Sequence, residues 1–473
     1  MKHTKLSILT LAAAGLFSAC SKLDQEPLSS LNGDNAVTVA NARILANGMY
    51  KRMQALEYYG RDFLVVSDLG GNDLKITSQN SNRFITEFQM NYTALVSPQT
   101  NTFLNAYRAV NQANALIYKL PQNDQTTSIR GEAYFVRALA EMDIAKRYTR
   151  PYLNVTSNPT APNSGITLVT ESLDAPATYK PGRSTLKETY DAIIADLKEA
   201  QKSAPAGKSE DKAANIFRAN RDAATGLLTR AYLYTGQWQL VVDEASKLIG
   251  KYPLYEAAAV GDAFNSDGAT SEEIFSLRFL TPDGLGTNSF GYIYIPAGNG
   301  AKSGYGDVRL SDGFMALLDQ KDARRAQTYL LNGSNYLMKF SGNPAQNQNG
   351  MVNTRIVRIS EVLLNRAEAY VELKQFQNAV DDINMLRAKR GLDPFTDVAH
   401  IGDEIVKQRR LELVGEGFAM IDLFRKNGTR LISDANALPT RETKPDDFRV
   451  AYPIPQAEMD ANPKMVQNPG YQK

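Results

Sequence analysis

The most constraining feature of this 473-residue chain is a helical pattern that occurs twice. Ala231-Tyr232-Leu233-Tyr234-Thr235-Gly236-Gln237-Trp238 lines up with Ala369-Tyr370-Val371-Glu372-Leu373-Lys374-Gln375-Phe376, and each runs into an amphipathic segment, Val241 onward and Ala379 onward. A small residue at the crossing, a tyrosine wedge and an aromatic in the next helix's first turn are what two antiparallel helices need to interlock. On this alignment Trp238, like Phe376, fills an interior position between paired helices, which leaves no tryptophan to stack on a ligand. Gly131-Glu132-Ala133-Tyr134-Phe135 carries the same Ala-Tyr step, with its partner helix expected only at 185–203. The two clear copies lie 138 residues apart, far beyond a repeat of ~34 residues, so insertions interrupt the array. Paired helices form the frame, and the insertions are expected to carry the function.

Periodicity extends that reading. From Ala40 to about Tyr58, residues Ile44, Leu45, Met49, Met53 and Leu56 recur at three and four, the mark of one apolar helical face. Similar faces predict helices near 101–120, 128–148, 185–203, 216–235, 237–249, 311–319, 355–373, 376–390 and 403–426. Ser184, ahead of Leu186 and Glu188, supplies a start signal, and Gly391 with Pro394 a stop. Between 251 and 354 the texture changes to Gly, Asn, Ser and Pro clusters, with strand candidates Ile274–Leu280 and Phe290–Ile295. The expected fold is mainly α: a tetratricopeptide-like scaffold of helix pairs, with long loop-rich insertions and a few short strands. It forms a single domain over 40–473, with its insertion at about 251–354 and an extended tail at about 436–473. At 43 % hydrophobic residues such a domain can bury its own core.

The first twenty residues set the compartment. Lys2, His3 and Lys5 precede an apolar run of twelve, Leu6 to Phe17, too short to stay in a bilayer as a spanning anchor. Phe17-Ser18-Ala19-Cys20 then places small residues before the chain's only cysteine, similar to a bacterial lipobox. Residues 1–19 are read as an export signal, Cys20 as a lipidation site, and 20–39 as lipid anchor and polar tether. No later segment reaches eighteen uninterrupted apolar residues, so membrane attachment would rest on acyl chains.

Residue types exclude much chemistry. One cysteine and two histidines, His3 and His400, leave no set for a zinc cluster, a disulfide framework or thiol catalysis. Without residues 1–19 the chain has 51 basic and 51 acidic residues, no excess to grip a phosphate backbone, so nucleic acid is not expected as a partner. His400 is expected to cap a helix or face solvent. Asp68, Asn72 and Asp73 carry hard oxygen donors, but their spacing does not match an EF-hand loop, and no metal or cofactor is assigned.

Five landmarks in order resemble the SusD/RagB-like lipoproteins. They are Gly131-Glu132-Ala133-Tyr134-Phe135-Val136-Arg137-Ala138; Arg358-Ile359-Ser360-Glu361-Val362-Leu363-Leu364-Asn365-Arg366-Ala367-Glu368-Ala369; Arg409-Arg410-Leu411-Glu412-Leu413; Glu416-Gly417-Phe418 with Asp422-Leu423; and Tyr452-Pro453-Ile454-Pro455 running to Asn468-Pro469-Gly470-Tyr471. The charged residues of these motifs are expected to form buried ion pairs between helices. The resemblance implies a lipid-anchored protein on the outer membrane's surface that binds an oligosaccharide or a peptide. It implies delivery to a SusC-like TonB-dependent transporter barrel, over which the protein sits as a lid, with no catalysis of its own. A surface glycoside hydrolase and a purely protein-binding scaffold of outer-membrane assembly are the rival readings.

Binding a neutral sugar calls for aromatic faces against ring C–H groups, with amides and charges around the hydroxyls. Segment 280–306 combines these in Asp283, Asn288, Phe290, Tyr292, Tyr294, Asn299 and Tyr305, among seven glycines expected to keep neighbours from crowding a ligand. Segment 58–92 is the second candidate, with Tyr58, Tyr59, Asp68, Asn72, Asp73, Asn80, Arg83 and Tyr92. The expected ligand residues are Tyr305 above all, with Tyr292, Tyr294, Asp283, Asn288, Asn299, Asp73, Asn72 and Arg83. Tyr292 and Tyr294 read equally well as one face of a strand packed on helices.

Overall fold

The computed structural model describes residues 37–95, 97–171, 178–209, 215–265, 268–343 and 348–472. The expected export signal, Cys20 and most of the expected tether lie outside the described residues. Helices follow as α1 (Ala42–Met53), α2 (Asp62–Leu69), α3 (Gln99–Lys119), α4 (Asp124–Tyr148), α5 (Leu186–Ser203), α6 (Arg221–Thr235), α7 (Trp238–Ser246), α8 (Ile359–Glu372), α9 (Phe376–Ala388), α10 (Ile401–Leu413) and α11 (Ala419–Arg425). Between them run β1 (Leu74–Lys75), β2 (Glu273–Leu277), β3 (Arg309–Leu310), β4 (Thr328–Leu331), β5 (Ser334–Leu337) and β6 (Thr354–Arg358). The strands pair antiparallel by twos, β1 with β3, β2 with β6 and β4 with β5. The protein is mainly α, as the periodicity predicts.

All three expected helix pairs form. Helix α4 packs on α5, α6 on α7 and α8 on α9, and Ala133, Ala231 and Ala369 are fully buried. Local signals start the helices: Asn123 accepts from the backbone N–H groups of Gln125 (3.0 Å) and Thr126 (3.2 Å). At α5 the cap is Thr185 rather than Ser184, with Glu188 reaching back to the Thr185 N–H at 2.8 Å. The aromatic of the second helix does not fill an interior position. Phe376 is 42 % exposed, and half-buried Trp238 lies beside the Gly236 turn, so the first turn of each second helix closes the rim of its pair.

Other departures have identifiable causes. Helix α1 stops at Met53, and Leu56–Gly60 forms a wider turn in which Tyr58 and Tyr59 both donate to Asp143 Oδ2, at 2.6 and 2.7 Å. Neighbours in a regular helix point about 100° apart and would not share one carboxylate oxygen. Residues 355–358, expected as the start of a helix, pair instead with β2 because Ile356 and Val357 favour a strand. The helix expected over 403–426 breaks at Val414–Phe418, where Gly415 and Gly417 have φ of +82° and +83°. That conformation favours glycine, and the Gly417 and Ala419 N–H groups converge on Asp68 at 3.1 and 2.9 Å. The expected helix at 311–319 shortens to Asp312–Met315, and the strand Ile274–Leu280 forms as β2. The strand expected at Phe290–Ile295 is absent: Phe290–Ile293 is a 3₁₀ turn, fixed where the Gly291 N–H meets Gly350 O at 2.8 Å.

A buried charge cluster ties the insertion to the repeats. Arg358 donates to Glu416 (2.7 Å), Glu272 (2.9 Å) and Glu412 (2.7 Å). Arg390 joins Glu272 and Glu412 at 2.8 and 2.7 Å. Arg324 bridges Asp322 (2.7 Å) and Glu412 (3.2 Å), and Lys339 reaches Glu416 at 2.6 Å. Four cations thus face four carboxylates, all buried. Glu272, Asp322, Arg324 and Lys339 come from the insertion; Arg358, Arg390, Glu412 and Glu416 come from the helical frame. Elsewhere Arg230 pairs with Glu361 at 2.7 Å and Arg409 with Asp422 at 2.9 Å, as expected of the motif residues. Ion pairs so deep fix which segment meets which, because an unpaired charge there is strongly unfavourable.

Candidate functional site

Strands β1 and β3 are two residues each, yet they join the two candidate segments, pairing Leu74 with Leu310 and Lys75 with Arg309. The loop after β1 then lies against the segment before β3. Asp307, buried, accepts from the Ser81 backbone N–H at 2.8 Å and from the Ser81 hydroxyl, and pairs with Arg83 at 3.2 Å. Asn80 steadies the turn by accepting from the Arg83 N–H at 2.7 Å.

So held, the Arg83 guanidinium stacks over Tyr305, 3.7 Å from the ring centroid. Tyr292 meets Tyr305 nearly edge-on, with centroids 5.0 Å apart and planes at 70°. The Tyr305 N–H donates to Tyr292 O at 2.8 Å, and both rings are half-buried. Gly304 makes this approach possible, since a Cβ there would stand 2.4 Å from Tyr292 O. The glycine beside Tyr305 therefore brings two backbones together rather than clearing space for a ligand. Asn288 stands on the surface, accepting from Arg61 at 2.9 Å; Arg61 in turn lies 5.3 Å over Phe84, the residue after Arg83.

Several expected ligand residues are elsewhere. Tyr294 is fully buried against Phe290 and Phe340, and burial raises its phenol well above the usual range. It is core, because the 3₁₀ turn sends it inward while Tyr292 stays at the surface. Tyr58, Tyr59 and Tyr92 are buried too, Tyr92 packed 4.4 Å from Tyr452. Burial pushes the Asp68 carboxyl up to about 6 despite its two backbone donors. Asn299 is half-buried. The side chain of Asp283 lies outside the described residues. His400 faces solvent, 2.7 Å from Asp397.

Asn72 and Asp73 line a different place, a cavity of about 370 Å³ bounded by α10 and α11. Asp73 is buried and receives Arg410 Nε at 2.9 Å. Burial raises its carboxyl while Arg410 opposes the rise. Asn72 joins the Thr429–Leu431 backbone, donating to Thr429 O at 3.1 Å and accepting from the Leu431 N–H at 2.9 Å. Neither residue belongs to the aromatic cluster. Among the described residues, no group of three or more His, Cys, Asp or Glu is placed to hold a metal, and no helix is long and apolar enough to cross a membrane.

Sequence reasoning missed Ser81 and Asp307, which set the Arg83 guanidinium on its ring. The available signal was the nearness of Asp307 to Tyr305 in the glycine-rich run.

Residues 318–471 match the profile of the SusD family, and residues 23–233 match a family described as starch-binding, associating with the outer membrane. The chain belongs to the SusD family. A SusD-like protein of Formosa agariphila is 22 % identical over 99 % of both chains. A SusD superfamily protein of Bacteroides thetaiotaomicron is 28 % identical, with a TM-score of 0.81, over 92 % of this chain and 100 % of its own. Another, from Bacteroides vulgatus, is also 28 % identical, with a TM-score of 0.80, over 92 % and 100 %. In this SusD family chain the matched C-terminal region contributes Arg324, Lys339, Arg358, Arg390, Glu412 and Glu416 to the buried charge cluster.

Proposed function

We propose that this chain captures a nutrient at the outer surface of the outer membrane, an oligosaccharide in the first place and a peptide in the second. It passes the cargo unchanged to a SusC-like TonB-dependent transporter, whose lid it forms while tethered by lipid at Cys20. The observation that carries the binding reading is the Arg83–Tyr305–Tyr292 cluster, where two loops supply aromatic rings and a guanidinium at one half-buried place. Aromatic carbon suits the C–H side of a sugar ring, and guanidinium N–H groups suit its hydroxyls. The description of the family matched by residues 23–233 supports both the glycan and the membrane. A non-catalytic role fits this cluster, because its carboxylate, Asp307, is buried and occupied by Ser81 and Arg83.

The test is calorimetry against a panel of glycans and peptides. Tyr305→Ala and Tyr292→Ala should each weaken binding about tenfold, equivalent to about 1.4 kcal/mol, with the fold intact by circular dichroism. Parent-like affinity in both variants overturns the site. Turnover of a bound glycan, lost on replacing one Asp or Glu, overturns the non-catalytic role.

A further inference from the structure

The 370 Å³ cavity beside Asn72 and Asp73 has no part in the aromatic cluster, and its walls have a different chemistry. Helix α10 lines it with Val406, Arg410 and Leu413, and α11 with Ala419 and Leu423, followed by Lys426 at the helix's C-terminal cap. Both sets fall at i, i+4 and i+7, so each helix turns one face to the gap. The volume is near the lower end of small-molecule pockets, about 300–1,000 Å³.

Charge is sorted across this cavity. Its three carboxylates are engaged with cations: Asp73 with Arg410 at 2.9 Å, Asp422 with Arg409 at 2.9 Å, and Glu368 with Arg425 at 2.8 Å. Of the four cations in the lining, Arg409 and Arg425 are buried, whereas Arg410 and Lys426 keep 33 % and 37 % of their side chains exposed. Lys426 touches Glu368 at 3.3 Å and Glu372 at 3.0 Å, the latter outside the lining. A solute entering therefore meets aliphatic walls and positive heads. A sugar would find one aromatic ring, Phe418, and it is buried.

We propose that this cavity binds a medium-chain aliphatic carboxylate, its tail against Val406, Leu413 and Leu423 and its acid group at Arg410 and Lys426. The site is independent of the glycan reading. Burying one methylene changes affinity about fourfold, so length reports on the tail and the head group reports on the cations.

Calorimetry with decanoate, octanoate and decanol on the full soluble domain tests it. Decanoate should bind saturably at one site, octanoate roughly fifteenfold more weakly, and decanol at least about tenfold more weakly. Val406→Trp, at an exposed position, should abolish decanoate binding while leaving any glycan binding as in the parent. Lys426→Met should weaken decanoate at least about threefold. Absence of saturable decanoate binding, equal binding of decanol, an unchanged Lys426→Met, or parent-like binding by Val406→Trp would each overturn the proposal. Loss of glycan affinity in Tyr305→Ala leaves it untouched.

Discussion

Replacing Glu412 by Gln tests whether the buried charge cluster holds the insertion on its frame. The carboxylate accepts from Arg358 at 2.7 Å, from Arg390 at 2.9 and 2.7 Å, and from Arg324 at 3.2 Å. Burial alone would raise this carboxyl, but Arg390 and Arg358 overcome it and hold it well below the usual range. The variant leaves four cations with three carboxylates and turns an amide N–H₂ toward guanidinium groups. Breaking a buried pair costs about 3–5 kcal/mol, and this site serves three guanidinium groups, so the upper half of that range is expected. Domain stability is of order 5–15 kcal/mol, so the loss is a large part of it. Urea unfolding followed by circular dichroism measures it. The exposed Lys321–Asp393 pair, at 2.8 Å, is the control: Lys321→Ala should leave the midpoint unchanged, because solvent screens a pair of the same length. The pH dependence has a definite sign. A depressed carboxyl contributes fully above the unfolded-state value of about 4.3 and loses that contribution as pH falls. The gap between parent and Glu412→Gln should therefore narrow below about pH 4. A loss under about 1 kcal/mol, or a gap that does not narrow in acid, refutes the reasoning.

Three further outcomes are expected. Burial pushes the Glu141 carboxyl up to about 8, with Asp196 adding to the rise and Arg137, already forked onto Asp196 at 2.6 and 2.7 Å, opposing it. A raised carboxyl favours the folded state most in acid, so stability should fall as pH rises from about 5 to 8, and Glu141→Gln should flatten that decline in pH-resolved denaturation. Gly417→Ala combines a φ of +83° with a Cβ 2.9 Å from Leu64 Cδ2, and should lower stability by more than about 1 kcal/mol in the same assay. Cys20→Ala should move the protein from the membrane to the soluble fraction of cells; unchanged fractionation refutes the lipid anchor.

The helix pairs were legible because their information is local. Ala133, Ala231 and Ala369, each followed by Tyr, mark the crossings, and helix faces repeat at three and four residues wherever the helix sits. The ends were less legible where a distant group decided them: Asp68 breaks the stretch after α10, and Asp143 unwinds the turn holding Tyr58 and Tyr59. At the candidate site, sequence supplied Tyr305, Tyr292 and Arg83 but had no means to separate Tyr292 from Tyr294.

What the sequence by itself determined is the class of fold, the family landmarks and the residue types from which a binding surface is built. Only the tertiary structure decided that Arg83 lies on Tyr305, that Asp73 belongs to Arg410, and that α10 and α11 leave a cavity between them. A helical face is encoded in spacings of three and four residues. A contact between Arg83 and Tyr305, 222 positions apart, depends on two-residue strands and a buried Asp307 whose partners only the folded chain assembles.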